Sequence, residues 1–229
     1  MLLSQPFPPC RFCTPASTWM QQYTYFVALK GCAYDKKRAE SLTFLTQTEI
    51  KTLLEGAKQR GARDYAMILL AYRHGLRASE ICNITMENID LGAGNIRCQR
   101  GKGSISNWQQ LSKDEVKAVS TWLRKRPHSP KSPTPYLFIS RKGKAISRSQ
   151  FFRIVQAVGK KAGLSPEKCH PHILKHSVGT HLANAGMPVQ VIQQRLGHRN
   201  IQNTMKYLQV SSAFVDRAFE SALANGAVV

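Results

Sequence analysis

The sequence predicts a mostly α-helical domain that carries one small antiparallel β-sheet, an α+β fold. Helix-start signals, TQTE at 46–49 and SKDE at 112–115, open runs with helical periodicity. Between about 86 and 111 that periodicity stops, and turn-forming glycines separate short alternating runs, as they do in antiparallel hairpins. Helical patterns resume afterwards and continue towards the C-terminus.

Turn and capping residues place the individual elements. Before the sheet, we expect helices over 46–60, over 62–74 with Gly75 as its stop, and briefly over 78–84. After the sheet, the patterns predict helices over 112–126, 147–163, 170–186, 188–197 and 212–225, a proline-rich loop over 127–135 and a short strand over 136–140.

The chain divides into a short first segment and one main domain. Residues 1–41 hold four prolines among the first fifteen positions, followed by one short helix and a linker. Residues 42–229 carry the regular patterns and are long enough to bury a large core. The C-terminal helix, 212–225, has an apolar stripe. Two placements stay open for it, packing on its own domain or docking on a neighbouring protomer.

The charge balance points to a polyanionic partner. Lys and Arg number 33 against 13 Asp and Glu, so the formal charge is +20, while 42% of residues are hydrophobic and allow a folded core. Such an excess is typical of nucleic-acid binders. No apolar run approaches membrane-spanning length and no signal-peptide pattern opens the chain, so we expect a cytoplasmic protein with no membrane partner.

The six cysteines indicate ordinary reduced thiols. Cys10 and Cys13 form one C-x-x-C pair, but no second pair lies at the spacing that a zinc ribbon uses. Disulfides are not expected in a cytosolic chain.

The stretch HPHILKHSVGTHL (170–182) places His172 and His176 one helical turn apart, on one face. This spacing suits a zinc site, a phosphate site that also uses Lys175, or two ordinary helix histidines. Zinc chemistry of the H-E-x-x-H type needs a glutamate between the histidines, and Lys175 occupies part of that interval instead. We therefore expect no metal and no cofactor, but this stretch alone does not separate the two remaining interpretations.

Further residues favour phosphate. HGLRASE holds Arg77, GKG holds Lys102 on a predicted hairpin turn, and LGHRNIQNTMKY holds His198 and Tyr207. Negative charge on a phosphodiester grows in its transition state, so a catalyst needs cationic donors, a nucleophile and a proton donor for the leaving oxygen. Six residues supply these roles without a metal: Arg77, Lys102, His172, Lys175, His198 and Tyr207.

The order of these motifs resembles the tyrosine recombinase (phage integrase) family, and the similarity runs from about Leu42 to Gln209. The blocks GARDYAMILLAYRHGLRASEI, LFISRKG and LGHRNI especially resemble the short fimbrial phase-variation invertases. The resemblance implies the catalytic-domain fold of that family for residues 42–229. It also implies a DNA recombinase that works through a 3′-phosphotyrosine.

The resemblance implies a role for each site residue. Tyr207 attacks the scissile phosphate, His172 assists its proton transfer, and Lys102 protonates the leaving 5′-oxygen. Arg77 and Lys175 hold the non-bridging oxygens, and His198 hydrogen-bonds the phosphate. His176 is assigned a supporting role and His170 and His181 structural roles. Glu80 either orients Arg77 or is a solvent-exposed helix residue, and Arg73 and His74 either contact DNA or are solvated.

The chain departs from the family at two points. Lys175 stands where most members have a second arginine, which keeps the charge but loses the bidentate geometry. Residues 1–41 are too few for the N-terminal core-binding domain that completes the clamp around DNA in most members. That segment, a neighbouring subunit or a host protein would have to complete it.

The expected function is site-specific DNA recombination, by inversion or by integration and excision. The expected partners are double-stranded recombination sites, copies of the chain assembled as a tetramer on paired sites, and host DNA-bending proteins. Two alternatives stay open at this point: an accessory DNA-binding protein with decayed catalysis, and a relaxing enzyme of the type IB topoisomerase kind.

Overall fold

The computed structural model describes residues 42–101, 103–127, 134–140, 142–208 and 223–224, and the account below concerns these residues. They contain eight α-helices, which are α1 (Gln47–Arg60), α2 (Ala62–Arg73), α3 (Ala78–Cys82), α4 (Lys113–Lys125), α5 (Arg148–Lys161), α6 (Pro171–Asn184), α7 (Val189–Leu196) and α8 (Gln202–Leu208). Short 3₁₀ turns at Met86–Asn88 and Pro166–Lys168 connect some of them. The mostly helical fold is confirmed.

The sheet that the sequence predicts is also confirmed. Strands β1 (Ile89–Asp90), β2 (Asn95–Cys98) and β3 (Asn107–Gln110) form an antiparallel sheet in the order β1-β2-β3. Ile96 lies opposite Gln109 in the ladder, and both are buried. The loop between β2 and β3 contains position 102, which lies outside the described residues.

The capping boxes start their helices as expected. Thr46 accepts a hydrogen bond from the Glu49 backbone at 3.2 Å, and the Glu49 carboxylate accepts one from the Thr46 backbone at 2.7 Å. Ser112 and Glu115 form the same reciprocal pair at the start of α4. Each box satisfies two backbone groups that a helix start would otherwise leave without partners.

Helix α2 forms the centre of the main core. Every residue from Ala66 to Ala71 is buried, and α2 packs against α1, α4 and α6. Gly75, just past its end, has a φ of +57°, and a Cβ there would lie 2.4 Å from the Leu196 side chain. Glycine therefore allows α7 to lie directly against the end of α2.

A second, smaller apolar cluster joins the three C-terminal helices of the described chain. It contains Val178 and Ala183 of α6, Ile192 and Leu196 of α7, and Tyr207 of α8. The residue that the sequence marks as a nucleophile is thus part of a packed core.

Two local expectations differ from the structure. The stretch 136–140 does not form a continuous strand. It makes single bridges at Tyr136 and Ile139. Between them, the Leu137 carbonyl accepts a hydrogen bond from the Trp122 side chain at 2.9 Å, and the Phe138 carbonyl accepts one from the Ile146 backbone at 3.2 Å. Helix α8 was not expected, because it is short and begins in a polar run.

Three further observations concern the same described part of the chain. Cys82, Cys98 and Cys169 are buried free thiols, whereas Cys10 and Cys13 lie outside it. No described helix is both long and apolar enough to cross a bilayer. Of the predicted C-terminal helix, only residues 223–224 are described, and they are helical.

Candidate active site

Tyr207 is fully buried in a pocket between α6 and the segment that follows α7. Its ring lies on Gly179 of α6, where a Cβ would come within 2.7 Å of the tyrosine Cζ. Its other neighbour is His198, whose ring stacks nearly parallel at a centroid distance of 6.3 Å. A side chain larger than hydrogen at position 179 would displace the tyrosine.

The Tyr207 hydroxyl contacts a histidine. It lies 3.3 Å from Nδ1 of His176. Burial raises the pKa of Tyr207, although the charge of Arg77 acts in the opposite direction. Burial also lowers the pKa of His176 to about 3, with the His172 charge as the next cause. At neutral pH the phenol is therefore protonated and the imidazole neutral. In the tautomer that carries its proton on Nε2, His176 accepts a hydrogen bond from the hydroxyl.

His172, one turn earlier on α6, is exposed, and its ring centroid lies 4.3 Å from that of His176. The family resemblance implies proton transfer through His172 and a supporting role for His176. In the structure the histidine that touches the hydroxyl is His176. Tyr207 packs over Gly179 of α6. His176 lies about one helical turn before Gly179 and His172 lies about two turns before it, so the ring of His176 is the one that contacts the hydroxyl.

His198 is buried beside the tyrosine and its ring is held in place. Its Nδ1 lies 2.9 Å from the Thr204 hydroxyl. Burial, together with the charges of Lys175, Lys206 and Arg77, lowers its pKa to about 3. These three cations therefore share one electrostatic environment with the tyrosine pocket.

Arg77 caps the start of α3 and is oriented by an acid. Its Nη1 donates to Glu80 and to the Ser104 hydroxyl, both at 2.9 Å. The Glu80 side chain is 3% exposed. Burial alone would raise the pKa of Glu80, but the backbone hydrogen bond from Arg77 and the charge of Arg100 outweigh burial and lower it. Of the two expectations for Glu80, the structure supports the one in which it orients Arg77.

Arg100 is a buried cation that the sequence analysis did not single out. Its side chain is 0% exposed and donates to the backbone oxygens of His74, Gly75 and Arg195 at 2.8–2.9 Å, and to Glu80 at 3.1 Å. It thus joins the end of α2, the end of α7 and the acid that holds Arg77. The sequence signal was weak, since an arginine beside a hairpin turn is usually solvated.

Lys175 is also buried, at 2% exposure, and its ammonium donates to the Leu196 carbonyl at 3.0 Å. Burial lowers its pKa to about 7, with the nearby charge of Arg100 as the next cause. Lys175 therefore caps the C-terminal end of α7, and up to two of its N–H groups stay available as hydrogen-bond donors.

The loop that contains position 102 is anchored to the site. The backbones of Ser104 and His198 pair in an isolated antiparallel β-bridge, and the Ile105 N–H donates to the Gly197 carbonyl at 3.0 Å. Gly197 has a φ of +67°, and a Cβ there would lie 2.7 Å from the Ile105 carbonyl, so glycine allows this approach. Lys102 itself lies outside the described residues.

His74, which the sequence left open as a DNA contact or a solvated residue, is fully buried. Its ring nitrogens face two acceptors, the Gln109 amide oxygen at 2.7 Å and the Glu115 carboxylate at 2.9 Å. His181 is buried as well, 2.8 Å from the Tyr72 hydroxyl, and contributes to structure as expected. His170 precedes α6 and lines a cavity of about 660 Å³ together with Arg77, Arg148, Arg153 and His172.

The arrangement suits one kind of reaction. Cations stabilise an anion whose charge grows in the transition state, and a phenol that donates to a neutral imidazole can become a nucleophile. Within the described residues, no three His, Cys, Asp or Glu side chains cluster as metal ligands do. Fold and site together fit the class of phosphoryl-transfer enzymes, with a buried tyrosine among cationic side chains.

Comparison with known proteins gives the family. Residues 43–213 match the phage integrase family, which is about three quarters of the chain. The chain belongs to this family and is a site-specific tyrosine recombinase.

Two curated relatives are similar over most of their length. The type 1 fimbriae regulatory protein FimB of Escherichia coli K12 is 44% identical over 181 residues, 78% of this chain and 88% of FimB. FimE of the same strain is 39% identical over 173 residues, 74% of this chain and 87% of FimE. The tyrosine recombinase XerA of Pyrococcus furiosus is 34% identical, but the match covers 61% of XerA.

Solved structures show the same architecture. A crystal structure of XerA recombinase superposes with a TM-score of 0.67 at 27% identity, over 78% of this chain and 62% of that one. XerH bound to its difH substrate, in a pre-cleavage complex, gives 0.64 at 25% identity, over 72% of this chain and 50% of that one. The tyrosine recombinase catalytic-domain fold that the sequence implied is confirmed.

Proposed function

We propose that this recombinase rearranges a DNA segment bounded by two copies of its site, by inversion or by integration and excision. The observation that carries the proposal is the Tyr207 hydroxyl, bonded to a neutral imidazole inside a cluster of cations. Inversion is the outcome we favour, because the sequence resembles the fimbrial invertases and the match to FimB spans 88% of that protein.

The chemistry is a transesterification. The Tyr207 oxygen attacks the scissile phosphorus, the bond from phosphorus to the 5′-oxygen breaks, and a 3′-phosphotyrosine forms. The phenolic proton passes to a histidine, either His176, which contacts the hydroxyl, or the neighbouring His172. Lys102 protonates the leaving 5′-oxygen. Because one phosphoester replaces another, the strand can be rejoined without ATP.

The remaining residues stabilise the phosphate. Arg77, oriented by Glu80, donates to one non-bridging oxygen, and Lys175 uses its free N–H groups in the same way. His198 hydrogen-bonds the phosphate from the side of the tyrosine ring. In water-poor surroundings, losing one such donor lowers a rate by about 10²–10³.

The partners follow from this chemistry. The substrate is double-stranded DNA that carries paired sites, and a tetramer of this chain on the two sites supplies the four cleavages that complete recombination needs. Host DNA-bending proteins assist where the spacing of the sites requires a sharp bend. XerH in complex with difH supports DNA as the ligand, since the two chains share their fold.

The first experiment traps the intermediate. We expect the parent protein to form a covalent adduct on a nicked duplex that carries one of its recombination sites. Tyr207→Phe removes only the hydroxyl, so it should bind this duplex with unchanged affinity and form no adduct. Denaturing electrophoresis detects the adduct, and peptide mapping locates it.

Controls for the nucleophile are Tyr72→Phe and Tyr136→Phe, since both tyrosines are partly buried against the main core. Both variants should retain adduct formation. A phosphotyrosine mapped to any residue other than 207 would overturn the assignment, and binding without any adduct would favour an accessory protein.

A second experiment separates recombination from relaxation. The parent protein is incubated with a supercoiled plasmid that carries two sites, one site or none. A recombinase yields inverted or resolved products from the two-site plasmid alone, whereas a relaxing enzyme unwinds all three.

A further inference from the structure

Lys206 has no role in the reaction described so far, although it directly precedes the nucleophile. Its side chain is partly buried, and its ammonium lies 5.1 Å from the centroid of the Tyr207 ring. Among the residues that the structure describes, it has no hydrogen-bond acceptor and no carboxylate within ion-pair distance. The ring is therefore the group it contacts.

The charge of Lys206 acts on the whole pocket. Among the charged groups that lower the pKa of His172, Lys206 is the largest, and its charge also affects Lys175, His176 and His198. Burial lowers the pKa of Lys206 itself. A cation placed partly out of water among other cations is unfavourable unless an anion joins it.

The carboxylate of this pocket does not provide that anion. Glu80 is already bonded to Arg77 and Arg100 and lies 3% exposed beneath them. Lys175, in turn, is almost fully buried and donates to the Leu196 carbonyl. Lys206 is therefore less buried than Lys175, and its ammonium has no oxygen acceptor among the described residues.

We propose that Lys206 binds a non-bridging oxygen of the phosphate that Tyr207 attacks, and is thus a further catalytic residue of this recombinase. The proposal rests on the proposed function. Lys206 and Tyr207 are consecutive on α8, so a displacement that carries the hydroxyl to phosphorus also carries the ammonium. The ammonium of Lys206 then reaches the phosphate together with the nucleophile. It replaces the one N–H donor that Lys175 uses for the Leu196 carbonyl.

The alternative is that Lys206 only covers the tyrosine ring. A ring-covering lysine would act on the stability of the pocket and would be indifferent to the charge of the phosphate. A phosphate ligand would affect the rate of phosphotyrosine formation and would depend on the negative oxygen. The experiment therefore changes the lysine and the oxygen independently.

Four proteins are compared in single-turnover cleavage of the nicked duplex at fixed salt: the parent, Lys206→Met, Lys206→Arg and Lys117→Met. Lys117 is an exposed lysine of α4 and serves as the matched control. We expect Lys206→Met to cleave about 10²–10³ times more slowly, as for the loss of one electrostatic donor. Lys206→Arg should stay within about tenfold of the parent, because it keeps the charge, and Lys117→Met should match the parent.

The second substrate carries a methylphosphonate at the scissile position, which replaces one non-bridging oxygen by a neutral methyl group. Here the ratio of parent to Lys206→Met rates should fall towards one for one of the two stereoisomers, since the oxygen that Lys206 binds is gone. A defect of equal size on both substrates, or no defect on either, overturns the proposal. Thermal unfolding of each variant shows whether the pocket still folds.

The outcomes separate this inference from the proposed function. If the parent itself forms no adduct, the recombinase chemistry fails. If the parent forms the adduct and Lys206→Met forms it equally fast, the assignment of Lys206 alone fails.

Discussion

At the residue scale, Lys175 is the position where this chain differs most from what its family implies. An arginine would offer two parallel donors, whereas lysine offers a compact charge. The structure gives one N–H of Lys175 to the Leu196 carbonyl. Lys175 therefore has a structural contact as well as a charge, and burial makes that charge sensitive to pH.

The charge of Lys175 predicts a pH dependence. Burial lowers its pKa to about 7, so the ammonium is present below pH 7 and is lost as the pH rises through that value. At limiting protein concentration the cleavage rate reports the ionisation of the free protein. We therefore expect the parent rate to decline above about pH 7, and Lys175→Arg to remove this decline while holding or raising the rate at pH 8.

Lys175→Ala is the matched negative variant. It should cleave about 10²–10³ times more slowly than the parent at pH 6.5, since it lacks the donor at every pH. An alanine variant as fast as the parent would show that Lys175 contributes to folding alone, and a parent profile that is flat across pH 7 would contradict the titration of this lysine.

At the scale of elements, the C-terminal end of α7 determines the geometry of the site. Its last carbonyls accept bonds from Asn107, Gln109 and Arg100 of the sheet region and from Lys175 of α6. Helix ends leave four carbonyls without intrahelical partners, and cationic donors suit their negative partial charge. His198 follows shortly after, so these bonds also place the histidine that stacks on Tyr207.

A buried contact between a histidine and a carboxylate supports the same region. Glu115 of α4 lies 2.9 Å from His74, whose other ring nitrogen contacts Gln109. Burial alone would raise the pKa of Glu115, but the hydrogen bond and charge of His74 outweigh it and lower the pKa to about 2. The carboxylate is therefore ionised at neutral pH, and the end of α2, α4 and β3 meet around it.

Glu115→Gln should destabilise the fold by about 3–5 kcal/mol, since it removes one partner of a buried pair. Urea unfolding at pH 7 measures this loss, with Glu87→Gln as a control because Glu87 is exposed. The folded pKa is depressed, so the contribution of Glu115 is present above pH 4.5 and is lost as the pH falls towards 2. Equal stability of Glu115→Gln and parent at pH 7 would contradict this role.

These elements also show what the sequence could predict. Local signals were sufficient for α1 and α4, whose capping boxes lie within four residues, and for the hairpin strands around the Gly101–Gly103 turn. Motif order selected six candidate site residues, and their catalytic roles stay a prediction. The burial of His74 and Arg100 was missed, because their partners lie 20–95 residues away along the chain and no local pattern encodes such contacts.

At the scale of the whole molecule, cationic side chains line two separate cavities. The chain carries +20 overall. Arg148 and Arg153 line the cavity of about 660 Å³ that also contains Arg77 and His172. Lys58 and Lys125 line a different cavity, of about 420 Å³, between α1, α2 and α4. If DNA follows the surface next to the tyrosine pocket, the first pair contacts phosphates and the second does not.

This difference predicts two salt dependences. Each phosphate contact releases condensed counterions, so log K falls against log salt concentration with a slope of about −0.9 per contact. Replacing Arg148 and Arg153 by Gln should make the slope less steep by about 1.8. Replacing Lys58 and Lys125 by Gln should leave the slope of the parent unchanged, because those cations lie on the α1–α4 cavity.

Fluorescence anisotropy with a labelled duplex, at salt concentrations between 50 and 300 mM (roughly the range in which such slopes are measured), gives both values. A slope near zero for the parent would contradict backbone binding altogether. Equal changes in the two double variants would instead mean that the charge acts as a diffuse field, with no preferred face for DNA.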